Sequence, residues 1–431
     1  MRTATKKILS YVLQLESRLI LWRYKPKIVA ITGSVGKTST KDAVYAVLSK
    51  VAYVRKSEKS YNSELGLPLT IMGCPNGWNS PSLWARNILR GLWIFIYPHK
   101  YPKWLVLEVG VGKPNDMTIT ASWLKTDAVI FTAIGDTPAH IEFFESKKHV
   151  IEEKSKLIKT LKPDGFLILN ADDPSVIALK SKTKNRIVTF GFTEGADVCG
   201  STESILYEKD GTPAGMAFRV DEDARSLPVI IEGVFGTNHI YASLGALAFA
   251  SGLKLNILNA IDALKNYDVP PGRMRLLKGI NHTLILDDTY NSSPTASRSA
   301  LFTLGGVKCK GRKIAVLGDM LELGKHTEEA HKSIGTAVKD TADVLMVVGM
   351  RAKSIAVGAH EAGMDAKNII EFTNSREAGE FLKNFIHKND FILIKGSQGM
   401  RRERAVEAIL ENQEHKSTLL VRQDAEWLKK A

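Results

Sequence analysis

Short apolar runs alternate with longer stretches of helical periodicity along most of the chain. Apolar runs of this kind are typical of buried parallel strands, and the stretches between them are typical of covering helices. The alternation predicts an α/β fold with mostly parallel sheets, arranged as two successive units. The predicted strands lie at 28–32, 104–109, 128–133 and 165–170 in the first unit and at 283–286, 313–317, 344–348, 369–372 and 391–395 in the second.

The pattern changes between residues 186 and 235, where short alternating segments are separated by glycine, aspartate and proline. This segment predicts a small antiparallel sheet added to the parallel one. A helix is predicted over 241–251, and the sequence Val-Pro-Pro-Gly-Arg at 269–273 then breaks the pattern. Because such breakers mark domain boundaries, we predict three parts. They are an N-terminal helical segment (1–27), a central domain (28–270) and a Rossmann-like C-terminal α/β domain (271–431).

Two apolar segments lie outside this alternation. The first is an amphipathic stretch at 8–24, whose helical stripe consists of Ile8, Val12, Leu15, Leu19 and Trp22. Such a helix either packs on the domain, which we favour, or lies in a membrane interface. The second is the aromatic run at 87–97, for which a buried helix and a membrane-facing or partner-facing surface are equally supported. Peripheral membrane contact therefore stays open as a hypothesis.

Charge and cysteine usage narrow the class of protein. The net charge is +13 over 431 residues, which favours an anionic partner such as nucleotide phosphates, a phosphorylated substrate or an acidic membrane. No nucleic-acid-binding motif accompanies the charge, so no nucleic acid partner is expected. The three cysteines are far apart and lack metal-ligand spacing, which indicates a reducing cytoplasm. The charges within 8–24 interrupt its apolar run, so this segment is not expected to cross a bilayer.

The segment 28–41 carries the strongest chemical signal. A buried strand leads into Gly-Ser-Val-Gly-Lys-Thr, and a helix follows. Glycine lets backbone N–H groups approach phosphates, lysine supplies a positive charge and threonine offers a hydroxyl to Mg²⁺. The fuller phosphate-loop pattern has a glycine where this chain has Ile31, so an ordinary strand-to-helix turn remains an alternative. The predicted nucleotide contacts are Gly33, Ser34, Val35, Gly36, Lys37, Thr38 and Ser39.

Further polar residues follow the strands predicted next in the chain. Glu108 ends one strand, and Asp136 and His140 follow another, so all three are expected at the sheet edge where α/β proteins bind ligands. A carboxylate there can complete a Mg²⁺ shell begun by Thr38. A lone histidine is more often structural than a ligand. Lys154 by itself is typical of a solvated helix face.

The second unit contains a comparable cluster at 284–294. Asp287, Asp288, Tyr290 and Asn291 follow a predicted strand. Carboxylates can hold ribose hydroxyls, and a tyrosine ring can stack on a base. A capped turn before a helix explains the same residues equally well.

Taken together, these segments resemble the Mur ligase family, ATP-dependent ligases of peptidoglycan synthesis, and within it the branch that adds D-alanyl-D-alanine. The resemblance runs from about residue 28 to the C-terminus, and its specificity lies in the order and spacing of short motifs. Those motifs are Ile-Thr-Gly-Ser-Val-Gly-Lys-Thr-Ser-Thr, Tyr-Asn-Ser-Glu-Leu-Gly-Leu-Pro, Leu-Glu-Val-Gly, Ala-His-Ile-Glu, Asn-Ala-Asp-Asp-Pro, Gly-Arg-Met, Asp-Asp-Thr-Tyr-Asn, Leu-Gly-Asp-Met-Leu-Glu-Leu-Gly and Lys-Gly-Ser.

The resemblance implies a reaction in which ATP phosphorylates a substrate carboxylate and an amine attacks the acyl phosphate to form an amide. The implied substrates are small molecules: a carboxylate peptide precursor, UDP-MurNAc-tripeptide, and an amino acid or dipeptide. Lys37 would contact the β- and γ-phosphates. Thr38 and Glu108 would hold one Mg²⁺, and His140 would help hold a second. Lys154 matches a lysine that is carbamylated in the family, which makes it a metal ligand.

The resemblance also assigns residues of the C-terminal domain. Arg273 and Asp288 would contact the nucleotide, with Tyr290 near the base. Asn291 and Lys395 would lie where the amine substrate binds.

Three departures from the family pattern are visible. The usual His-Asn pair that reads adenine is here Asn238-His239, so the order of the two residues is reversed, and His239 is the residue that would contact the base. A glutamate often found two residues after the carbamylated lysine is Lys156. Only about thirty residues precede Gly33, where this branch has a UDP-sugar-binding domain, so we expect the two apolar segments to replace it.

Alternative functions are a folate-type or polyglutamate-type ligase and a non-catalytic ATP-binding scaffold.

Overall fold

The computed structural model describes residues 3–57, 61–62, 64–135, 141–222 and 225–429. The chain divides into two compact units. The first comprises Met1–Ser201, Val220–Leu227 and Tyr241–Asp268, and the second comprises Thr202–Arg219, Pro228–Ile240 and Val269–Ala431.

The first sheet has nine strands in the order β2-β3-β1-β4-β5-β6-β7-β8-β9. Its strands are β1 (Lys27–Thr32), β2 (Val54–Lys56), β3 (Trp104–Glu108), β4 (Thr126–Phe131), β5 (Leu161–Asn170), β6 (Arg186–Gly191), β7 (Val198–Tyr207), β8 (Pro213–Glu222) and β9 (Arg225–Glu232). The neighbouring strands from β2 to β7 pair in parallel. The segment predicted as a small antiparallel addition continues this sheet, because β6 pairs in parallel with β5 and β7 to β9 follow it.

The second sheet has six strands in the order β10-β11-β15-β12-β13-β14. Its strands are β10 (Arg275–Gly279), β11 (Thr283–Asp288), β12 (Lys313–Gly318), β13 (Val344–Val348), β14 (Ile369–Phe372) and β15 (Phe391–Lys395). Only the β10–β11 pair among the described strands of this sheet is antiparallel. The predicted α/β fold with mostly parallel sheets is confirmed.

Helices follow most of the strands, as the alternation predicts. Those up to residue 264 are α1 (Thr3–Tyr24), α2 (Lys37–Ser49), α3 (Gly66–Met72), α4 (Pro81–Ile96), α5 (Asp116–Ala121), α6 (Lys147–Ser155), α7 (Pro174–Ile177), α8 (Thr237–Gly252) and α9 (Ile257–Leu264). The later ones are α10 (Pro294–Gly306), α11 (Thr327–Val338), α12 (Lys353–Glu361), α13 (Ser375–Phe385), α14 (Glu403–Ile409), α15 (Lys416–Leu419) and α16 (Ala425–Leu428). No helix among the described residues is long and apolar enough to cross a membrane.

Helix α1 packs on the first unit, but not through the stripe read from the sequence. Its buried apolar side chains are Leu9, Leu13 and Ile20, which join one hydrophobic core with residues of α3 and α4. From the predicted stripe, Ile8, Leu15 and Trp22 are exposed and Val12 and Leu19 are half-buried. The helix is apolar on two opposite sides, so periodicity alone could not tell which side is buried.

Candidate active site

The phosphate-loop motif forms the turn between β1 and α2, and its two glycines are required by the backbone. Gly33 has φ of 145°, and a Cβ there would lie 2.0 Å from Thr132 Oγ1. Gly36 caps α2 in the left-handed conformation with φ of 85°. Both positions disfavour any residue with a side chain. The loop therefore brings its backbone to the N-terminus of α2, where N–H groups without helical partners favour an anion.

The loop is fastened to the chain just after β4. Ser34 N and Val35 N donate to the Ala133 carbonyl at 2.6 and 3.1 Å, and Thr132 Oγ1 donates to the Val35 carbonyl at 2.6 Å. These bonds join the loop to the chain after β4 and hold its shape. Ser34 Oγ is buried and has no hydrogen-bond partner among the described residues, and Ser39 is buried in the first turn of α2.

Two lysines converge on one carbonyl of this loop. Lys37 Nζ donates to the Gly33 carbonyl at 3.0 Å and to the Ser34 carbonyl at 3.3 Å. Lys154 Nζ, from α6, donates to the same Gly33 carbonyl at 3.0 Å. The Lys154 residue is 2% exposed, so it does not lie on a solvated helix face. Burial, and secondarily the charge of Lys37, lowers the pKa of Lys154 well below its ordinary value.

Glu108 meets the first turn of α2 at the end of β3. Thr38 Oγ1 donates to Glu108 Oε2 at 2.9 Å, and Asn62 Nδ2 donates to Glu108 Oε1 at 3.1 Å. Glu108 pairs with Ile31 in the parallel register of β1 and β3, which fixes its distance from the loop. Both of its carboxylate oxygens are thus oriented in a 2% exposed position. Sequence reasoning had not assigned Asn62 to the site.

Asp173 holds the backbone at Ile134 and Gly135, where the described segment 64–135 ends. Its Oδ2 accepts from Ile134 N at 2.7 Å and Gly135 N at 3.0 Å, while its Oδ1 accepts from Ser175 N at the start of α7. Asp136 and His140 themselves lie outside the described residues. Within the described part of the chain, no three His, Cys, Asp or Glu side chains are grouped so that they could hold a metal ion.

Lys156, one of the departures from the family pattern, lies within an ordered polar cluster. Its Nζ donates to Glu153 Oε2 at 2.6 Å and to Thr118 Oγ1 at 2.8 Å. Glu153 Oε1 accepts from Met117 N at 2.9 Å, in the first turn of α5. The pair therefore joins α6 to α5 beside the buried Lys154.

In the second unit, Lys395 lies between two of the other predicted site residues. Its Nζ donates to Asp288 Oδ2 at 2.6 Å and to the Asn291 carbonyl at 3.0 Å. Lys395 ends β15 and Asp288 ends the neighbouring β11, and the two residues are register partners. The charge pair is buried, with Lys395 only 2% exposed. The prediction that this segment gathers polar groups at a strand end agrees with this geometry.

Asp287, next to this pair, binds backbone instead. It accepts from Gly272 N at 3.0 Å and from Thr289 Oγ1 at 2.6 Å. Burial raises the pKa of Asp287 to about 6. The side chain ties the linker at Gly272 to the end of β11, which places Arg273 and Tyr290 side by side.

Arg273 and Arg422 surround Tyr290. The guanidinium carbon of Arg273 lies 4.0 Å from the centre of the Tyr290 ring, a cation–π contact. Arg422 donates to the Tyr290 carbonyl at 2.5 Å, to the Thr289 carbonyl at 3.1 Å and to Glu403 Oε2 at 2.7 Å. One face of the ring is thus covered by a cation.

His239 is buried and bound to the backbone of Arg273. Its Nε2 lies 2.7 Å from the Arg273 carbonyl, an acceptor, so Nε2 carries the proton. Burial lowers the pKa of His239 to about 4, which leaves the imidazole neutral at pH 7. Within its unit His239 therefore positions the linker arginine.

The structure brings the predicted residues of each unit together as a group. In the first unit the group is Gly33, Ser34, Val35, Gly36, Lys37, Thr38, Ser39, Glu108 and Lys154. In the second it is His239, Arg273, Asp288, Tyr290, Asn291 and Lys395. Sequence reasoning missed Asn62, Thr132, Asp173 and Arg422. Asn62 and Asp173 lie within quoted motifs and could have been found there, whereas Thr132 and Arg422 carry no local signal.

Comparison with known proteins identifies the family of this arrangement. The Mur ligase middle domain matches residues 31–81 and 91–250, and the Mur ligase, glutamate ligase domain matches residues 272–398. The UDP-N-acetylmuramoyl-tripeptide--D-alanyl-D-alanine ligase of Bacillus subtilis is 26% identical over 401 residues, 93% of this chain and 79% of that protein. The same ligase of Escherichia coli is 26% identical over 397 residues, 90% of this chain and 77% of that protein.

Solved structures agree with the sequence matches. MurF from Thermotoga maritima in complex with ADP superposes with a TM-score of 0.75 at 25% identity, covering 93% of this chain and 83% of that one. MurF from Acinetobacter baumannii superposes with a TM-score of 0.76 at 23% identity, covering 93% of this chain and 80% of that one. With both domain matches in chain order over most of its length, the chain belongs to the Mur ligase family.

Proposed function

We propose that the protein is an ATP-dependent ligase that joins D-alanyl-D-alanine to the carboxylate of a UDP-MurNAc-tripeptide in peptidoglycan precursor synthesis. The observation that carries the proposal is the convergence of Lys37, Thr38, Glu108 and Lys154 on one glycine loop. Relatives named for this reaction align with about nine-tenths of the chain. The first step transfers the γ-phosphoryl group of ATP to a carboxylate oxygen, and the second joins the amine nitrogen to the acyl carbon while phosphate leaves.

The first metal site fits Mg²⁺ by its donor chemistry. A threonine hydroxyl and a carboxylate are the hard oxygen ligands that Mg²⁺ prefers. Thr38 Oγ1 and Glu108 Oε2 lie 2.9 Å apart, and Asn62 holds the other carboxylate oxygen. When bound, the ion would neutralise charge on the transferring phosphates. Lys37 already lies at the loop, where its ammonium would reach the β- and γ-phosphates.

Carbamylation of Lys154 would supply a second metal ligand, and its environment supports that reaction. Burial beside Lys37 favours the neutral amine, whose nitrogen lone pair can form a bond to the carbon of CO₂. Loss of a proton then leaves a carbamate anion. We propose that this group and His140 hold the second Mg²⁺.

Residues of the second unit are proposed to bind the remaining parts of the substrates. Arg273 and Asp288 would contact the nucleotide, with Tyr290 beside the base. Asn291 and Lys395 would lie by the amine. The Lys395–Asp288 pair supports these roles, because a buried charge pair at the ends of two parallel strands keeps polar groups at a typical ligand-binding edge.

The reaction and the cysteines support a proposal for the cellular compartment of the enzyme. We propose that the enzyme works in the cytoplasm, where ATP is available and where its three free cysteines stay reduced. A peripheral contact with the membrane is proposed as well.

The test is phosphate release from ATP with Mg²⁺ and bicarbonate, with D-alanyl-D-alanine and UDP-MurNAc-tripeptide offered singly and together. We expect release only with both substrates, one phosphate per amide bond, and the joined product by mass spectrometry. Single amino acids and folate-type acids serve as competing substrates. ATP binding without turnover in any combination would overturn the ligase assignment and leave a scaffold.

Variants connect the reaction to the site. Lys37→Ala should lower the rate by about 100-fold or more, because a charge aimed at the phosphates is lost. Lys184→Ala is the matched control, since Lys184 is an exposed lysine of the same unit. A ¹³C NMR carbamate signal from ¹³C-bicarbonate that is lost in Lys154→Ala but kept in Lys184→Ala would establish the modification. Its absence from the wild-type protein would refute carbamylation without affecting the ligase assignment.

A further inference from the structure

The outer side of α1 is unusually apolar for a surface helix. Leu13 and Ile20 on its inner side are fully buried, whereas on its outer side Ile8, Tyr11 and Trp22 are 67%, 70% and 71% exposed. An ordinary surface helix has one apolar stripe directed to the core. The second stripe of α1 is exposed to solvent, so a partner surface would stabilise it.

Helix α4 repeats this arrangement next to α1. Its inner side buries Trp84 and Ile94, and its outer side exposes the apolar residues Leu89, Leu92, Trp93 and Ile96, followed by Tyr97. The inner sides of the two helices join the same hydrophobic core. Tyr24, at the end of α1, donates to the Ile94 carbonyl of α4 at 2.8 Å. The two helices are therefore direct neighbours, and each has an exposed apolar stripe beside the core that they share.

Basic residues accompany both stripes. Arg18 and Arg23 on α1 and Arg86 and Arg90 on α4 are exposed, and Lys100 follows α4. The sequence contains no aspartate or glutamate from residue 81 to residue 103, and the only one before residue 28 is Glu16, which is buried. The surface is therefore positive as well as apolar. Exposed tryptophan and tyrosine with flanking arginine and lysine are typical of groups that lie at the level of lipid headgroups.

We propose that the outer sides of α1 and α4 form a docking face for a bilayer that contains anionic phospholipid. Arginine and lysine would bind the headgroups while Trp22 and Trp93 enter the interface. The contact that we propose is peripheral, and no helix among the described residues is long and apolar enough to span the bilayer. This face contains none of the residues assigned to the reaction, and the proposal goes beyond the ligase function without depending on it.

The docking face approaches the site at one end of α1. Lys6 near the start of α1 forms an ion pair with Glu64 at 2.8 Å, and Glu64 lies two residues after Asn62, the hydrogen-bond partner of Glu108.

Vesicle flotation tests the proposal with the full chain. Phosphatidylglycerol and phosphatidylcholine vesicles are compared at low and at physiological salt. We expect the protein to float with phosphatidylglycerol vesicles, to float less as salt rises, and to remain in the soluble fraction with phosphatidylcholine. A protein that stays in the soluble fraction with phosphatidylglycerol vesicles at low salt would overturn the proposal.

Variants distinguish specific lipid binding from nonspecific adsorption to vesicles. Trp22→Glu combined with Trp93→Glu should abolish flotation, and Arg86→Gln with Arg90→Gln should weaken it roughly 10- to 30-fold. Phe302→Glu is the matched control, because Phe302 is 73% exposed on α10 outside the docking face. Circular dichroism and ADP binding check that each variant is folded. Unchanged flotation of the tryptophan variant would refute the assignment. It would also be refuted if the wild type did not bind vesicles and sedimented as a dimer, and if the tryptophan variant sedimented as a monomer.

Discussion

Glu16 allows a quantitative test of how the docking helices are built. Its carboxyl group lies at the crossing of α1 and α4, where a Cβ added to Gly91 would be 2.4 Å from Glu16 Oε2. The residue is 4% exposed, and neither carboxylate oxygen has a hydrogen-bond partner among the described residues. Burial raises the pKa of Glu16 from 4.5 to about 7. An ionised carboxylate is therefore unfavourable at this position.

The pKa change fixes the sign and size of the effect on stability. Below pH 4.5 the folded and unfolded states both carry the proton, so the full stability is present. As the pH rises from 4.5 to about 7, the unfolded state loses its proton first, and the free energy of unfolding falls. Each tenfold change in proton affinity is worth about 1.4 kcal/mol, so the loss by pH 8 is about 3 kcal/mol.

Glu16→Gln removes the titration and keeps the shape of the side chain. We expect the variant to gain about 3 kcal/mol over the wild type between pH 4.5 and pH 8. Burying the amide changes stability by an amount that is the same at every pH, so only the pH-dependent part is compared. Glu194→Gln is the matched control, because Glu194 is an exposed glutamate of the same unit.

Urea unfolding followed by tryptophan emission measures this difference. All tryptophans except Trp427 belong to the first unit, so the emission reports mainly on the unit that contains Glu16. A difference between Glu16→Gln and wild type that stays constant from pH 4.5 to pH 8 would show that the carboxyl group is solvated. The burial argument would then be refuted.

Three smaller perturbations test the loop, Glu108 and His239. Gly33→Ala should cost about 1–3 kcal/mol in strain, because the added Cβ would lie 2.0 Å from Thr132 Oγ1. The variant should also bind ADP more weakly in calorimetry, and an unchanged affinity for ADP would contradict this prediction. Asn62→Ala should raise the Mg²⁺ concentration for half-maximal turnover by about 10- to 100-fold. The affinity for ATP measured without Mg²⁺ should be unchanged. The pKa of His239 is about 4 in the folded state, below its ordinary value of 6.5. The free energy of unfolding should therefore fall by about 3 kcal/mol as the pH falls from 6.5 to 4. In thermal unfolding, His239→Gln should remove this pH dependence.

The fold class could be predicted from the sequence because its signals are local. Apolar runs such as those of β3 and β15 are buried along their whole length, as continuous hydrophobic runs indicate. The buried side of α1 could not be predicted, because the helix carries apolar residues on two sides. Only contacts with α3 and α4, distant in sequence, decide that Leu13 is inside and Trp22 outside.

The same distinction, between local signals and contacts distant in sequence, explains which parts of the candidate site could be predicted from the sequence. The glycine loop is defined by backbone conformation and by the helix that follows it, so adjacent residues suffice to predict it. Lys154 is different, because its sequence neighbours are charged and typical of an exposed helix. Its burial arises from packing against Gly33, 121 positions away. A tertiary contact therefore buries this lysine, and burial lowers its pKa well below the ordinary value.

Arg422 is the clearest case of a residue that no local pattern could assign. Nothing around it in the sequence resembles a motif, yet it donates to the carbonyl groups of Thr289 and Tyr290, more than 130 positions earlier. Glu403 binds the same guanidinium group, and Glu403 is fully buried. Since an unpaired buried charge is costly, the pairing of Arg422 with Glu403 compensates both charges. The backbone beside Tyr290 is thus held by a charge network from the C-terminal segment, and the ring remains in place for Arg273 to cover.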